Sequence, residues 1–444
     1  MGRPRTDPRS TSTGPDLEGV GPVAPVPRTT LACPRGALEE AVEQVTRAAL
    51  HPGRVGAVGL ELEGHLVDLA APGRRVAWSE IVAAVDGLGA LPGGSRVTVE
   101  PGGQVELSGP PVQGVAVAVA SLRTDRAHVA AALAEAGLGL ALVGADPLRR
   151  PSRVNPAPRY AAMAEHFAAM GCAEAGLAMM TATASLQVNL EAGPAAGWRD
   201  RVALAHQLGP VLVAVSACSP LVAGRRGWRS SRQQIWGELD QSRCGPLLGS
   251  GDPAGEWAAY ALSAPVMLVR DPHRVGTEPV RARTAFADWV TGEVRLGGRR
   301  PTREDLDYHL TTLFPPVRLR GWLEIRYLDA TPEPWWPALA AVTATLLDDP
   351  TAADRAAVAS APVAGAWDRA ARLGLADPAL RRAACDCLAA ALDAVPLALQ
   401  PEVVALAELV DRGGGPGDAL LAAARTGGPA AALLSAIDLP EGSR

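Results

Sequence analysis

Polar side chains recur at every second position in four short segments whose other positions are mostly apolar. Successive side chains of a β-strand point to opposite faces, so each segment predicts a strand with one polar and one apolar face. The polar positions carry carboxylates, amides and an arginine rather than the threonines that favour strands. These polar residues are Glu61 and Glu63; Gln104, Glu106 and Ser108; Ser185, Gln187, Asn189 and Glu191; and Glu324 and Arg326.

Five glutamates share one surface if these strands are neighbours. They are Glu61, Glu63, Glu100, Glu106 and Glu324, of which Glu100 directly precedes a Pro-Gly-Gly turn. Such crowding is unfavourable through repulsion between like charges unless a cation neutralises it. Ligands that are all oxygen select a hard cation, either magnesium or manganese. Magnesium held by a few carboxylates completes its shell with water and nucleotide phosphates, so the pattern predicts a magnesium–ATP site.

A simpler interpretation is available for each strand taken alone. An antiparallel sheet commonly packs one face on the core and exposes the other to water, and the polar residues could form that exposed face. The repeated choice of glutamate, a poor strand former, favours the metal site when the segments are considered together.

The usual phosphate-binding motifs do not occur. The chain contains no lysine, so it has no P-loop, and no G-x-G-x-x-G opens a helix after a strand. Phosphates must therefore be held by metal and arginine, whose planar guanidinium suits phosphate and carboxylate groups. Arg326 lies on the same strand face as Glu324 and is predicted to contact phosphate. The alternative is an ion pair with Glu324 at the surface.

The elements that must position these residues do not follow a strict βαβ order, which favours an α+β fold with a mainly antiparallel sheet. A helix is predicted after residue 36, with Leu38, Val42, Val45 and Ala49 on its apolar side. Further helices are predicted at residues 115–136, 200–217 and 302–311. Strands are predicted at residues 55–69, 96–108 (two strands), 138–143, 179–191, 266–270 and 317–328.

Composition excludes several classes of protein. The net charge is −5, which gives no electrostatic reason to expect nucleic acid or an anionic membrane as partner. The six cysteines form no C-x-x-C pair and have no histidine at zinc-ligand spacing. No apolar run is long and uninterrupted enough for a membrane span, and no signal peptide is evident at the N-terminus, so a cytoplasmic protein is expected. Residues 1–30 predict a disordered tail, and an Ala-rich helical region follows residue 335.

Several motifs, in this order, resemble those of glutamate–cysteine ligases of the plant-like and actinobacterial branch, and within it the type that serves ergothioneine synthesis. The resemblance covers residues 36–335. It rests on order and spacing, since no single motif is very specific. The motifs are Gly59-Leu60-Glu61-Leu62-Glu63, residues 100–108, Ser185-Leu186-Gln187-Val188-Asn189, Ser231-Arg232-Gln233-Gln234-Ile235-Trp236, residues 308–316, and Gly321-Trp322-Leu323-Glu324-Ile325-Arg326.

The resemblance implies a glutamine-synthetase-like curved antiparallel sheet flanked by helices, with residues 31–335 as the catalytic domain and residues 336–444 as a helical region packed on it. It implies that the five glutamates bind metal, that Arg232 holds a substrate carboxylate and that Arg326, with Glu324, serves catalysis. Gln187 stands where some members bind metal through histidine and is assigned here to substrate binding, and Asn189 faces substrate or nucleotide. The implied substrates are glutamate, cysteine and ATP. Both a monomer and a homodimer are compatible with the sequence.

The sequence departs from the family at Gly64, where many relatives have a large residue, and it has no convincing match to the cysteine pair that regulates plant enzymes. We therefore predict no such redox switch. The main alternative function is a ligase of the same fold that joins glutamate to a different amine. A non-catalytic relative is disfavoured because all five glutamates are present. His309 and the pair Trp335-Trp336 are predicted to be structural, and the basic loop around Arg225 is either solvated or a lid.

Overall fold

The computed structural model describes residues 34–247, 251–270 and 276–437. The predicted tail, residues 1–30, lies outside this described part.

Eight strands form one sheet, in the order β11-β12-β6-β1-β3-β2, with β4 and β5 also paired to β1. Every pairing within this sheet is antiparallel, which confirms the predicted α+β class. The strands are β1 (Ala57–Asp68), β2 (Arg96–Val99), β3 (Gln104–Ser108), β4 (Val112–Gln113), β5 (Leu138–Ala141), β6 (Ser185–Glu191), β7 (Leu221–Val222), β8 (Arg225–Arg226), β9 (Leu268–Arg270), β10 (Thr277–Pro279), β11 (Val317–Leu319) and β12 (Trp322–Asp329).

Helices account for most of the remaining chain and pack on both sides of the sheet. They are α1 (Pro34–Ala49), α2 (Trp78–Asp86), α3 (Val115–Glu135), α4 (Pro158–Ala169), α5 (Ala173–Ala182), α6 (Trp198–Gln207), α7 (Gly209–Ser216), α8 (Ser231–Gly237), α9 (Gln241–Cys244), α10 (Pro253–Ser263), α11 (Phe286–Thr291), α12 (Arg303–Leu310), α13 (Trp335–Asp348), α14 (Pro350–Ser360), α15 (Trp367–Leu373), α16 (Pro378–Leu392), α17 (Gln400–Asp411) and α18 (Gly417–Ser435).

The apolar face of the sheet forms the main core. Leu60, Leu62, Val188 and Ile325 alternate with the polar residues of their strands and are buried. They belong to a core that also contains residues of α3, α7 and α13, which pack against this face. Burial of apolar side chains on this scale fixes which face of each strand points inward, because a shift of one residue would reverse every side chain.

A second, smaller apolar cluster lies over the opposite, polar face. Met163 and Phe167 of α4, Met179 of α5 and Ile235 of α8 are among its buried members. Met163 and Met179 also line the cavity that the polar face of the sheet lines from the other side. The polar face is therefore covered by helices and only partly exposed to solvent.

Three sequence predictions of strands and helices are corrected by the structure. Residues 179–182 are the end of α5, and β6 begins only at Ser185. The predicted helix at residues 200–217 divides into α6 and α7, because Pro210 has no amide hydrogen to continue a helix and starts a new one instead. The predicted strand at residues 317–328 is the hairpin β11–β12, which turns at Gly321 with a φ of +89°.

The buried side of α1 also differs in part from the predicted one. Val45 and Ala49 are buried as expected, but Val42 is 39% exposed. The other buried residues of α1 are Ala37 and Ala41. Their small side chains allow α1 to pack closely against α10 and α11.

The C-terminal helices extend the main core. Helix α13 packs against β6 and α3, and Trp336 at its start is fully buried, which confirms the structural role predicted for it. Helices α14, α16 and α17 pack onto α13 in turn. The predicted boundary between residues 335 and 336 stays a prediction. Among the described helices, none combines the length and the apolar content that crossing a membrane requires.

Candidate active site

A cavity of about 530 Å³ lies between the polar face of the sheet and the helices α4, α5 and α8. Four of the five predicted glutamates line it, namely Glu61, Glu63, Glu100 and Glu106. Three further predicted site residues, Gln187, Arg232 and Arg326, also line it. Segments separated by up to 265 positions in the chain thus converge on one space, as the sequence interpretation required.

Strand register sets the spacing of these groups. Glu63 lies directly opposite Glu106 on β3, and Glu61 lies between Ser108 on β3 and Gln187 on β6. Gln187 Nε2 donates to Glu63 Oε1 at 3.1 Å, and the backbone amide of Ser185 donates to Glu63 Oε2 at 2.8 Å. These hydrogen bonds hold the Glu63 carboxylate in place before any ligand arrives.

Glu100 enters the cavity from the turn between β2 and β3. The amide of Gly103 donates to the Glu100 carbonyl at 2.9 Å, and Gly103 has a φ of +86°, which suits glycine. A Cβ on Gly102 would lie 2.2 Å from the carbonyl oxygen of Thr181. The Pro-Gly-Gly sequence is therefore required for this turn to pack against α5 and present Glu100.

Burial dominates the electrostatics of the four cavity glutamates. It raises the pKa of Glu61 to about 7, and the charges of Glu106 and Glu324 act in the same direction. Burial also raises the pKa of Glu63, Glu100 and Glu106, and neighbouring carboxylates add to the effect at Glu100 and Glu106. Crowded carboxylates with raised pKa values are what a hard-cation site made only of oxygen ligands presents without its ion.

The carboxylates are spread around the cavity rather than focused on one point. Within the described residues, no three His, Cys, Asp or Glu side chains converge closely enough to hold one ion. Magnesium commonly takes only one or two protein carboxylates and completes its shell with phosphate and water, so the residues present fit it. The predicted set of five metal-binding glutamates stays a prediction.

Glu324 is placed differently from the other four. It is fully buried and does not line the cavity. Its carboxylate accepts two hydrogen bonds from the guanidinium of Arg318. Arg318 Nε donates to Oε2, and Arg318 Nη2 donates to Oε1 at 2.8 Å. Arg326 Nη1 adds a third at 3.0 Å. Burial alone would raise the pKa of Glu324, but the charges of Arg318 and Arg326 outweigh it and lower the pKa to about 2. In this structure Glu324 anchors two arginines.

Two predicted arginines are held by the sheet and by α8. Arg326 Nη1 donates to Gln187 Oε1 at 2.6 Å, which fixes the guanidinium beside the glutamates. Arg232 is buried, and its Nη2 donates to the Arg326 carbonyl at 2.7 Å. Arg232 Nη1 has no hydrogen-bond partner in the described part of the chain. An unpaired buried donor of this kind suits a substrate carboxylate.

Asn189 does not line the cavity. Its Nδ2 donates to Glu61 Oε1 at 3.1 Å, and its Oδ1 accepts from Trp322 Nε1 at 2.8 Å. Its contact with substrate or nucleotide stays a prediction, and in this structure it supports Glu61.

Sequence reasoning missed several cavity residues. Arg318 and Arg320 were overlooked because residues 317–328 were interpreted as one strand. The Gly321 turn was the available signal, since it places Arg318 opposite Glu324. Arg159 and Tyr160, from the start of α4, carry no local signal, because their position depends on how α4 packs. Missed residues that line the cavity include Arg96, Thr98, Arg159, Tyr160, Met163, Met179, Met180, Thr183, Arg318 and Arg320.

The remaining predictions concern residues outside the cavity. His309 is buried, Nε2 lies 2.8 Å from the carbonyl oxygen of Ala261, and the ring stacks on Phe286, which confirms its structural role. A Cβ on Gly64 would lie 2.6 Å from Leu140 Cγ, so this departure from the family affects packing on the face away from the cavity. Arg225 is exposed in β8 and does not line the cavity.

Comparison with known proteins identifies the family. A sequence model of the protein family described as glutamate–cysteine ligase family 2 matches residues 57–434 of this chain. The chain belongs to this family.

Relatives of the family span bacteria and plants. Glutamate–cysteine ligase EgtA of Mycolicibacterium smegmatis is 55% identical over 383 residues, which cover 86% of this chain and 90% of that protein. Chloroplastic glutamate–cysteine ligase of Nicotiana tabacum is 31% identical over 277 residues, which cover 61% of this chain and 52% of that protein. Both agree with the plant-like and actinobacterial branch predicted from the motifs.

A solved structure shares the fold at low sequence identity. The 2.0 Å crystal structure of the Francisella tularensis glutamate–cysteine ligase in complex with AMP aligns with a TM-score of 0.57 and 13% identity. The alignment covers 87% of this chain and 88% of that one. This match confirms the predicted ligase fold.

Proposed function

We propose that this protein is an ATP-dependent, magnesium-requiring ligase that joins the γ-carboxylate of L-glutamate to the amine of L-cysteine. The observation that carries the proposal is one cavity in which four partly buried glutamates face arginines from the sheet and from the helices. Mutually repelling carboxylates next to arginines suit a reaction between anionic substrates that needs a cation. Membership of the glutamate–cysteine ligase family supports this choice among reactions.

The first chemical step activates glutamate. A γ-carboxylate oxygen attacks the γ-phosphorus of ATP, the bond to the ADP oxygen breaks, and γ-glutamyl phosphate forms. In this step Arg232 holds the glutamate through a carboxylate, and Arg326 stabilises charge on the transferring phosphoryl oxygens. Glu324 contributes by holding Arg318 and Arg326 in position, because a buried ion pair with several hydrogen bonds restricts both guanidinium groups.

The second step forms the amide. The amine nitrogen attacks the acyl carbon, and phosphate leaves with the electrons of the broken C–O bond. Phosphate is a far better leaving group than the original oxygen, which explains why ATP is spent. The ammonium group of the amine loses one proton before it attacks and a second as the amide forms; both pass to solvent or to the departing phosphate, and one hydrogen stays as the amide N–H. No protein nucleophile is required.

Magnesium, when bound, neutralises charge between ATP and glutamate and acts as a Lewis acid at the phosphoryl group. Glu61, Glu63, Glu100 and Glu106 are the residues that would hold it. Manganese meets the same demand for oxygen ligands. The site residues assigned here rest on the cavity geometry and on the family motifs.

We also infer that the product, γ-glutamylcysteine, serves ergothioneine synthesis, as the motif resemblance implies. The competing candidate is a ligase of the same fold with another acceptor amine. The residues assigned to metal and phosphate determine the activation of glutamate by ATP, but they determine less about which amine reacts with it.

The test is ADP release with Mg-ATP and glutamate against a panel of amines. We expect cysteine to give the highest kcat/KM, with product mass matching γ-glutamylcysteine. A different amine with a higher kcat/KM would establish the alternative acceptor, and no glutamate-dependent ADP release with any amine would refute the ligase assignment.

A further inference from the structure

Six arginines line the cavity, and they differ in whether a carboxylate already holds them. Arg318 and Arg326 are paired with Glu324, Arg320 lies 3.7 Å from it, and Arg232 lies 3.9 Å from Asp329. Arg96 and Arg159 form no ion pair within residues that the structure describes, and of these two Arg96 is exposed whereas Arg159 is half-buried. The complete set is Arg96, Arg159, Arg232, Arg318, Arg320 and Arg326.

Arg159 is nevertheless held in place. It is half-buried near the start of α4, and its Nη2 donates to Thr311 Oγ1 at 3.0 Å and to the Thr311 carbonyl at 3.4 Å. Its guanidinium carbon lies 4.8 Å from the centroid of the Tyr308 ring. A stacked, hydrogen-bonded guanidinium keeps its planar orientation, which favours recognition of a carboxylate.

The surroundings of Arg159 differ from those of the cavity arginines on the sheet. Arg159 lies at the start of α4, and the apolar side chains on this side of the cavity include Met163 of α4, Met179 of α5 and Phe314, which follows α12. The triphosphate of ATP requires the metal and the glutamates of the opposite side. The helices contribute two cavity arginines, Arg159 and Arg232, and Arg232 lies near Asp329 whereas Arg159 faces apolar and thioether groups, an environment suited to a small, soft side chain attached to a carboxylate.

We propose that Arg159 binds the carboxylate of the acceptor, so that the acceptor is an α-amino acid whose short side chain packs on the methionines of α4 and α5. This inference rests on the proposed function and deepens it, because it names a residue that determines specificity for the acceptor. Arg232 then remains for the glutamate, and each amino-acid substrate has its own arginine.

The test compares cysteine with cysteamine, which has the same amine and thiol but no carboxylate. The parent protein should prefer cysteine in kcat/KM by about 100-fold, the order expected for a charge-assisted, two-point contact. Arg159→Gln should remove most of this preference by raising the KM for cysteine, while kcat/KM for cysteamine changes less than about twofold. Arg159→Lys keeps the charge without the planar fork, and we expect an intermediate KM.

Arg96→Gln is the matched control, because Arg96 lines the same cavity from β2, on the sheet side. It should leave the ratio of cysteine to cysteamine unchanged. The KM values for ATP and glutamate in Arg159→Gln should also equal those of the parent, which verifies that the variant is folded.

Two outcomes separate the proposals. If the Arg159 variants lower kcat/KM equally for cysteine and cysteamine, or if the parent uses both amines equally well, the role of Arg159 is refuted while the ligase assignment stands. If the parent protein releases no ADP with either amine, the proposed cysteine ligase activity itself is refuted.

Discussion

Replacing Glu61 with glutamine should greatly lower activity and yet stabilise the metal-free protein. The carboxylate is surrounded by other carboxylates, and burial and their charges raise its pKa to about 7. A folded-state pKa above the unfolded value means that the folded protein binds the extra proton between pH 4.5 and 7. The free energy of unfolding therefore falls as pH rises through this range, and the contribution of Glu61 is most unfavourable above pH 7.

The magnitude follows from the shift in pKa. Raising the pKa from 4.5 to about 7 corresponds to about 3 kcal/mol of lost stability at pH 8. Glutamine has nearly the same shape and no charge, so Glu61→Gln should recover most of this free energy. With the entropy of unfolding typical of a chain of 444 residues, the melting temperature should rise by about 3–4 °C. Because we propose that Glu61 holds magnesium, loss of its carboxylate should lower kcat by about 1000-fold.

The assay is thermal unfolding of both proteins in EDTA at pH 5 and at pH 8, followed by the same measurement with Mg-ADP. We expect melting temperatures that differ by no more than about 1 °C at pH 5, a variant that is more stable by the full amount at pH 8, and a smaller stabilisation of the variant by Mg-ADP. Glu39→Gln, on the exposed side of α1, is the matched control and should change neither activity nor stability. A variant that is no more stable than the parent at pH 8, or that keeps near-normal turnover, would refute the reasoning.

Three further predictions concern charge and packing around the cavity. Magnesium binding to the metal-free protein at pH 6.5 should release protons, because the ion lowers the raised pKa values of the cavity glutamates. Calorimetry in buffers of different ionisation enthalpy should show this release at pH 6.5 and a smaller one at pH 8.5, where Glu61 is already ionised; equal heats in all buffers would contradict it. Arg318→Gln should lower the free energy of unfolding by about 3 kcal/mol, since buried Glu324 loses its two-point partner, and denaturant unfolding showing less than about 1 kcal/mol would argue against this role. Gly64→Leu should lower the free energy of unfolding by about 1–3 kcal/mol, because the new side chain overlaps Leu140, and it should leave the affinity for Mg-ADP unchanged. A lower affinity in calorimetry would show that packing at residue 64 affects the cavity.

The strand motifs could be predicted because their information is local. Alternation in residues 59–63, 104–108 and 185–189 fixes which side chains share a face, and the Pro-Gly-Gly sequence fixes the turn before β3. Burial of the leucines and valines on the other face then leaves the glutamates only one direction in which to point. The α+β class, the antiparallel sheet and the convergence of Glu61, Glu63, Glu100 and Glu106 follow from this pattern.

Contacts between distant segments could not be predicted in the same way. Arg318 pairs with Glu324 because the turn at Gly321 sets the register of the hairpin. Arg159 reaches the cavity because of the way α4 packs over the sheet. A carboxylate can face a ligand or pair with an arginine. Its spatial neighbours decide between the two, and the alternation of polar and apolar residues along a strand does not reveal those neighbours. The sequence by itself determined the chemical groups and the strand faces that carry them. Only the tertiary structure decided which of those groups face the cavity, because burial and ion pairing depend on residues brought together from separate parts of the chain.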